Sequence, residues 1–277
     1  MSPLSAEKHA LLREGTVIPA TPLALNERRE FDERRQRALL RYYIDAGAGG
    51  VAVGMHFTQF EIRRPGIDLY EPVMQVCAGE MDGLAATRGR PLLKVAGIDG
   101  STESAVRQAA FARDLGYDVG IVSLATFKGA IHQELLHHMR RIAEILPVMG
   151  FYLLTGVGGI HLPYRFWREL VEMENVIGIK IAPFDRYGTV DVVRALYDAG
   201  REDTVTLYTG NDDSILYDLV TPFSFGTGDG TRTIHIKGGL LGQWACWTKT
   251  AVDLLGRVKE WRASGEPLPR NWLTLSA

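Results

Sequence analysis

Two cysteines in 277 residues, Cys77 and Cys246, are too few for a disulfide framework, and they stand in no metal-type spacing. Charge of neither sign dominates. The formal net charge of -2 gives nucleic acid or an anionic membrane no electrostatic footprint, so neither is expected as a partner. No apolar run approaches membrane-spanning length. Residues 1–10 lack the charged-then-apolar pattern of a secretory signal, so a cytoplasmic protein is expected. The histidines form no His-x-His or His-Glu-x-x-His pair, so no metal or other cofactor is expected. Linkers and low-complexity segments are missing too, which leaves no obvious point at which the chain divides.

What the chain does have is an alternation of strand-like and helical stretches. Short apolar runs occur at 16–19, 50–53, 91–95, 119–123, 148–154, 176–181 and 206–209, with an eighth expected near 222–227. Between them lie stretches with helical spacing. Ala105, Ala109, Ala112 and Leu115 form one stripe closed by Gly116, and Leu135, Met139, Ile142 and Leu146 form another stopped by Pro147. Leu39, Tyr43 and Ala46 precede Gly47 in the same manner. Such alternation demands parallel strands with right-handed crossovers. Eight units predict an α/β fold, a (β/α)8 TIM barrel over residues 1–240, with a short C-terminal helical extension over 241–277. A doubly wound open sheet would normally carry a Gly-rich turn after its first strand, and Pro19 to Pro22 form none.

Lys180 is the first candidate for chemistry. It sits in the apolar run from Val176 to Pro183, where a strand is buried on both faces. An ammonium there must shed water or its proton, and a neutral amine in a dry pocket attacks carbonyl carbon. The competing reading is a strand-ending lysine that snorkels to solvent. Lys94, between Leu93 and Val95, is a rival by the same burial argument. Strand alternation puts Gly178 and Lys180 on one face and Gly150 and Tyr152 on one face. If both faces point into the barrel, Tyr152 neighbours Lys180 and its phenol can ferry protons during imine formation; otherwise it fills the barrel as a packed tyrosine.

Other groups are weaker. His56 follows a strand and a glycine at the rim where such barrels place their chemistry, as either an acid–base group or an idle rim histidine. His137 and His138 are expected at a helix surface, and Lys128 and Lys237 in solvent. Gly226 to Thr231 could cradle phosphate, but Gly-Asp-Gly more often means a turn. Trp244 and Trp247 are expected to pack.

From Gly15 to about Gly242 the chain resembles the dihydrodipicolinate synthase / N-acetylneuraminate lyase superfamily of class I aldolases. Val176 to Lys180 resembles that family's I-V-G-I-K strand, Phe151-Tyr152 its L-Y, and the interval from Tyr152 to Lys180 matches without a gap. Ala96-Gly97, followed by Ser101 to Ala105, resembles with a small shift the stretch A-G-x-x-x-x-S-T-x-x-A, and Thr209 to Asp212 resembles S-G-D-D. The resemblance implies a Schiff base on Lys180 with a pyruvate-like 2-oxo acid, with Tyr152 also catalytic; His56, which stands where the family has a threonine, is expected to supply acid–base function in its stead. It implies substrate contacts from Met55, Thr58, Gly210 and Asn211, and a homo-oligomer, dimer or homotetramer.

The departures from the pattern fall at the site. The family's G-T-T-G-E becomes Gly54 to Thr58, with Met55 and His56 in place of threonines; backbone N–H groups there would bind the carboxylate. T-P-Y-Y becomes Ser123 to Thr126, and N-V-P-x-R becomes Leu153 to Val157, without its arginine. These losses argue against authentic dihydrodipicolinate synthase. Expected instead is an aldolase-type lyase with another substrate. A dehydratase of a 2-oxo-3-deoxy sugar acid, or a non-catalytic barrel that binds a 2-oxo acid, remains open. The helices that the family carries beyond Arg262 are expected to be curtailed, with 272–277 reading as a shortened helix.

Overall fold

The computed structural model describes residues 4–272. The expected helix over 272–277 therefore lies almost wholly outside the described residues. In chain order the main elements are α1 (Ala6–Glu14), β1 (Val17–Pro19), α2 (Glu33–Asp45), β2 (Gly50–Val53), α3 (Tyr70–Arg88), β3 (Leu93–Ile98), α4 (Thr102–Asp114), β4 (Val119–Val122), α5 (His132–Ala143) and β5 (Val148–Leu153). There follow α6 (Tyr164–Leu170), β6 (Val176–Ala182), α7 (Arg186–Ala199), β7 (Thr206–Thr209), α8 (Ile215–Val220), β8 (Phe223–Phe225), β9 (Arg232–Ile234), β10 (Gly238–Leu241), α9 (Gln243–Cys246) and α10 (Thr248–Ser264).

Local chemistry sets the helix starts. Asp32, Ser101 and Asp185 accept backbone N–H groups at the first turns of α2, α4 and α7. Parallel pairing then runs β1–β10–β7–β6–β5–β4–β3–β2. A bridge from Ala20 to Ala52, with Thr21 N–H donating to the Ala52 carbonyl at 2.9 Å, joins β1 to β2 and closes a (β/α)8 barrel. No helix among the described residues is long and apolar enough to cross a membrane.

The eighth barrel strand is not where the sequence suggested. Residues 223–225 pair antiparallel with β9 in a small hairpin outside the barrel, and β10 takes the eighth place. Gly238 and Gly239 hide β10 from propensity reasoning, since glycine disfavours strands. The packing requires them: a Cβ on Gly238 would lie 2.4 Å from the Thr16 carbonyl oxygen, and one on Gly239 would lie 2.5 Å from the Trp244 ring. Gly226 to Thr231 is the exposed tip of the hairpin, a turn with no helix behind it, as the turn reading expects.

Two apolar layers result. An inner cluster fills the barrel with Ile18, Ala52, Met55, Leu93, Val95, Val119, Ile121, Met149, Phe151, Tyr208 and Leu240, among others. Leu12 of α1 plugs its lower mouth, and the Tyr208 hydroxyl donates to the Leu12 carbonyl at 2.8 Å. The outer cluster lies between strands and helices and includes the stripes of α4 and α5. On α2 the buried positions are Gln36, Leu40, Tyr43 and Ile44, a stripe shifted from the expected Leu39, Tyr43 and Ala46. His138, expected at the surface, is fully buried on α5, with Nδ1 2.9 Å from Thr102 Oγ1 and its ring against Phe127. Burial pushes its pKa down to about 4, so it packs as a neutral ring.

Candidate active site

One irregularity in the barrel wall positions the site. Between β5 and β6, Val148 pairs with Val176 but Met149 pairs with Gly178, so Ile177 is an extra residue and β6 bulges there. A one-residue shift reverses which side chains face inward beyond it. Lys180 consequently lies opposite Phe151, and Tyr152 lies opposite Ile181.

Lys180 and Phe151 face the barrel interior. The lysine is 8% exposed, its Nζ sits 4.3 Å from the centre of the Phe151 ring, and Gly210, just past the end of β7, clears its stem. A Cβ on Gly210 would lie 2.5 Å from Lys180 Cε. Burial pushes the amine down to about 8, opposed only in part by the charge of Asp212. The Asp212 carboxyl is in turn held above the usual range by burial, with Lys180 pulling it down and Asp213 pushing it up. Burial thus brings the two groups' proton affinities closer together, which is how sites that move protons are built.

Tyr152 is not beside the amine. It faces the outer layer, with its ring 5.2 Å from that of Trp167 and its hydroxyl 3.4 Å from His161 Nδ1. Gly150 shares that outward face, where a Cβ would meet Leu170 and Trp167. The face shared by Gly150 and Tyr152 therefore points away from the barrel interior, against the condition under which Tyr152 would neighbour Lys180. Lys94 also faces outward, between the inward Leu93 and Val95. Its ammonium donates to Asp82 at 2.6 Å and to the Leu115 carbonyl at 3.3 Å.

The rim residues divide as well. Met55 lies buried at the end of β2, and His56 is exposed beside Phe60, ring centres 5.9 Å apart. The short turn His56–Thr58 starts without a side-chain cap. The Thr58 hydroxyl is fully engaged, donating to the Thr21 carbonyl at 2.7 Å and accepting from Gly54 N–H at 3.0 Å. Asn211 turns away from Lys180. Its amide donates to Asp218 at 2.9 Å and to Thr189 at 3.2 Å, and its carbonyl accepts from Phe184 N–H. Thr209 and Arg186 complete that network on Asp218.

A cavity of about 390 Å³ opens beside Asp212, lined by Gln243, Trp244, Trp247, Thr250 and Leu254 among others. Trp244 packs as expected, but Trp247 is 63% exposed in the wall of this cavity. Lys237, expected in solvent, is half-buried, and burial lowers its pKa, with Arg262, Arg13 and Lys259 adding to the effect. Among the described residues no group of three or more His, Cys, Asp or Glu is placed to hold a metal.

Sequence reasoning missed Phe151 as the neighbour of Lys180 and passed over Asp212. Asp212 was visible as a rim acid after the seventh strand. Nothing local marked Phe151, because its facing depends on the bulge.

The family model described as "Dihydrodipicolinate synthetase family" matches residues 14–230. No curated protein matches the chain significantly in sequence. Among solved structures, CdNal from Clostridium difficile in complex with mannosamine is similar, with a TM-score of 0.74 at 16% identity over 95% of this chain and 80% of that chain. YagE from E. coli K12, in complex with pyruvate, has a TM-score of 0.73 at 18% identity over 90% of this chain and 76% of that one. N-acetylneuraminate lyase from Fusobacterium nucleatum has a TM-score of 0.72 at 16% identity over 95% and 80% of the respective chains.

Proposed function

Because the chain belongs to the dihydrodipicolinate synthetase family, we propose that it is an aldolase-type lyase that forms a Schiff base between Lys180 and a pyruvate-like 2-oxo acid. The observation that carries this is the placement of Lys180: inside the barrel, nearly dry, unburdened by an ion pair and with its pKa brought down to about 8. At pH 7 about a tenth of such an amine is neutral, against a few parts in ten thousand for an ordinary lysine.

The neutral amine adds to the C2 carbonyl, and the carbinolamine loses water to give a protonated imine. Asp212 takes the proton of the substrate's C4 hydroxyl as the C3–C4 bonding electrons flow into the imine and an aldehyde leaves; the resulting enamine is protonated at C3 before water releases the 2-oxo acid. Asp212 takes and returns the protons at the amine, and His56 exchanges them with solvent at the rim. Tyr152, on the far face of β5, has no part in this reading. The uncapped N–H groups at Met55 and His56 receive the carboxylate. The cavity walled by Asp212, Gln243 and Trp247 takes the departing half of the substrate. The missing rim tyrosine and arginine speak against dihydrodipicolinate synthase activity itself.

Borohydride reduction in the presence of pyruvate, followed by mass mapping, tests the reading. An adduct on Lys180 supports it; no adduct, or one on Lys94, sinks it. The outward Tyr152 favours one other reading, a barrel that binds a 2-oxo acid without turning it over. That reading expects thermal stabilisation by pyruvate and no cleavage of any 2-oxo acid.

A further inference from the structure

Arg63 lies just outside the barrel wall, where β2 and β3 end. Its Nη2 donates to the Gly54 carbonyl at 2.9 Å and to the Gly97 carbonyl at 2.8 Å. Its Nε donates to Gln108 of α4 at 2.8 Å, and its guanidinium lies 4.2 Å over the ring of Tyr70 at the start of α3. The Tyr70 hydroxyl donates to the same Gly97 carbonyl at 3.0 Å. Arg63 Nη1 is buried and has no partner, and Asp99, whose Oδ1 is equally unpartnered, acts on the guanidinium by charge alone. The two strand ends meet so closely that a Cβ on Gly97 would lie 2.2 Å from the Gly54 oxygen.

The Gly54 carbonyl belongs to the same peptide group as the Met55 N–H. A trans peptide is planar, with its oxygen and its N–H pointing opposite ways. Gly54 has φ +80°, a left-handed conformation that glycine adopts without strain. That conformation lets the oxygen reach Arg63, and the Met55 N–H leaves the peptide on the opposite edge. A cation bonded to an amide oxygen draws electrons from the amide and strengthens its N–H as a donor.

We propose that Arg63 is a positioning residue for substrate binding: by holding and polarising the Gly54–Met55 peptide from behind, it makes the Met55 N–H a fixed, strengthened donor to the carboxylate of the 2-oxo acid. This rests on the reading of Lys180 given above. It assigns a buried positive charge to carboxylate recognition at one peptide's remove.

The test compares pyruvate with pyruvamide, its neutral analogue, in wild type, Arg63→Met and Arg63→Lys. Binding is read by calorimetry and imine formation separately by borohydride trapping. Arg63→Met weakens pyruvate binding by about tenfold or more, as expected for loss of a charge-assisted contact, and weakens pyruvamide binding by less than about threefold. Arg63→Lys, which keeps the cation, falls between; it carries the comparison where Arg63→Met does not fold. An equal loss for both ligands makes Arg63 a structural brace and overturns the inference, as does unchanged pyruvate binding. Wild type that binds pyruvate but traps none sinks the Schiff-base reading alone, and the binding curves still decide the role of Arg63. Wild type that binds no pyruvate overturns both.

Discussion

Lys94 and Lys180 stand in similar apolar strands, on opposite faces of one barrel wall. Lys94 faces the helices, where Asp82 and a backbone carbonyl take up its protons. Lys180 faces the interior, where its ammonium meets the Phe151 ring and feels the charge of Asp212 without a hydrogen bond to it among the described residues. The outer layer can satisfy a charge because helices bring polar side chains and free carbonyls to it. Apart from the α1 plug at its lower mouth, the inner layer is lined by strands, whose backbone groups are spent on the barrel ladder. A lysine sent inward is therefore left under-satisfied, and that condition makes it reactive. The same contrast separates Phe151 from Tyr152: the outer face gives the phenol a neighbouring histidine, while the inner face takes the ring without a polar group.

Exchanging the two lysines one at a time gives the largest effect. Lys180→Met abolishes the borohydride-trapped pyruvate adduct and leaves the fold as stable or more so, since a dry amine is removed. Lys94→Met keeps the adduct and lowers unfolding stability by about 1–3 kcal/mol, through the lost hydrogen bonds. Mass mapping and chemical denaturation read the two outcomes, and an adduct that follows Lys94 would reverse the comparison.

The pH dependence comes next. The attacking amine must be neutral, so the initial rate of imine formation should climb about tenfold per pH unit from pH 6 and level off near the Lys180 pKa of about 8. The same shift affects stability. Lys180 keeps its proton up to about pH 8 in the folded chain and up to about its ordinary 10.5 in the unfolded one. Between those values the unfolded chain binds more protons, so stability rises with pH across that window and the cost of the buried ammonium is lifted. Lys180→Met should lack this rise. A rate profile still climbing at pH 10 would mean that burial does not tune the amine.

Gly210→Ala sharpens the geometry. Its Cβ would press on the Lys180 stem at 2.5 Å, so trapping should slow by about tenfold or more with the amine itself intact. Tyr152→Phe should give the smallest change, less than about threefold in the trapping rate, because its hydroxyl lies on the outer face with a long 3.4 Å contact to His161. A loss of a hundredfold there would place the phenol at the amine and break the inner–outer distinction.

Much of the fold was legible because it rests on periodicity and punctuation. Seven strand positions, the stripes of α4 and α5, and the glycine and proline stops follow from residue type alone. β10 was not legible, since two glycines needed for close packing remove the propensity signal. His138 was misread because a histidine on a helix gives no sign of whether Thr102 and Phe127 will cover it. At the site, Lys180 was readable from its apolar run. The engagement of Thr58 and Asn211 in backbone and carboxylate networks was not, because their partners come from other units of the barrel.

The sequence by itself determined that the chain alternates strand and helix, that it closes as a barrel rather than an open sheet, and that a lysine is buried in the sixth unit. Only the tertiary structure decided which neighbours that lysine meets. Strand alternation says that Phe151 and Tyr152 face opposite ways; it does not say which one faces inward. The extra residue at Ile177 settles that, since Tyr152 would pair with Lys180 without it and Phe151 does so with it. A bulge is fixed by the fit of whole strands around a closed barrel, a long-range condition that no local run of residues records.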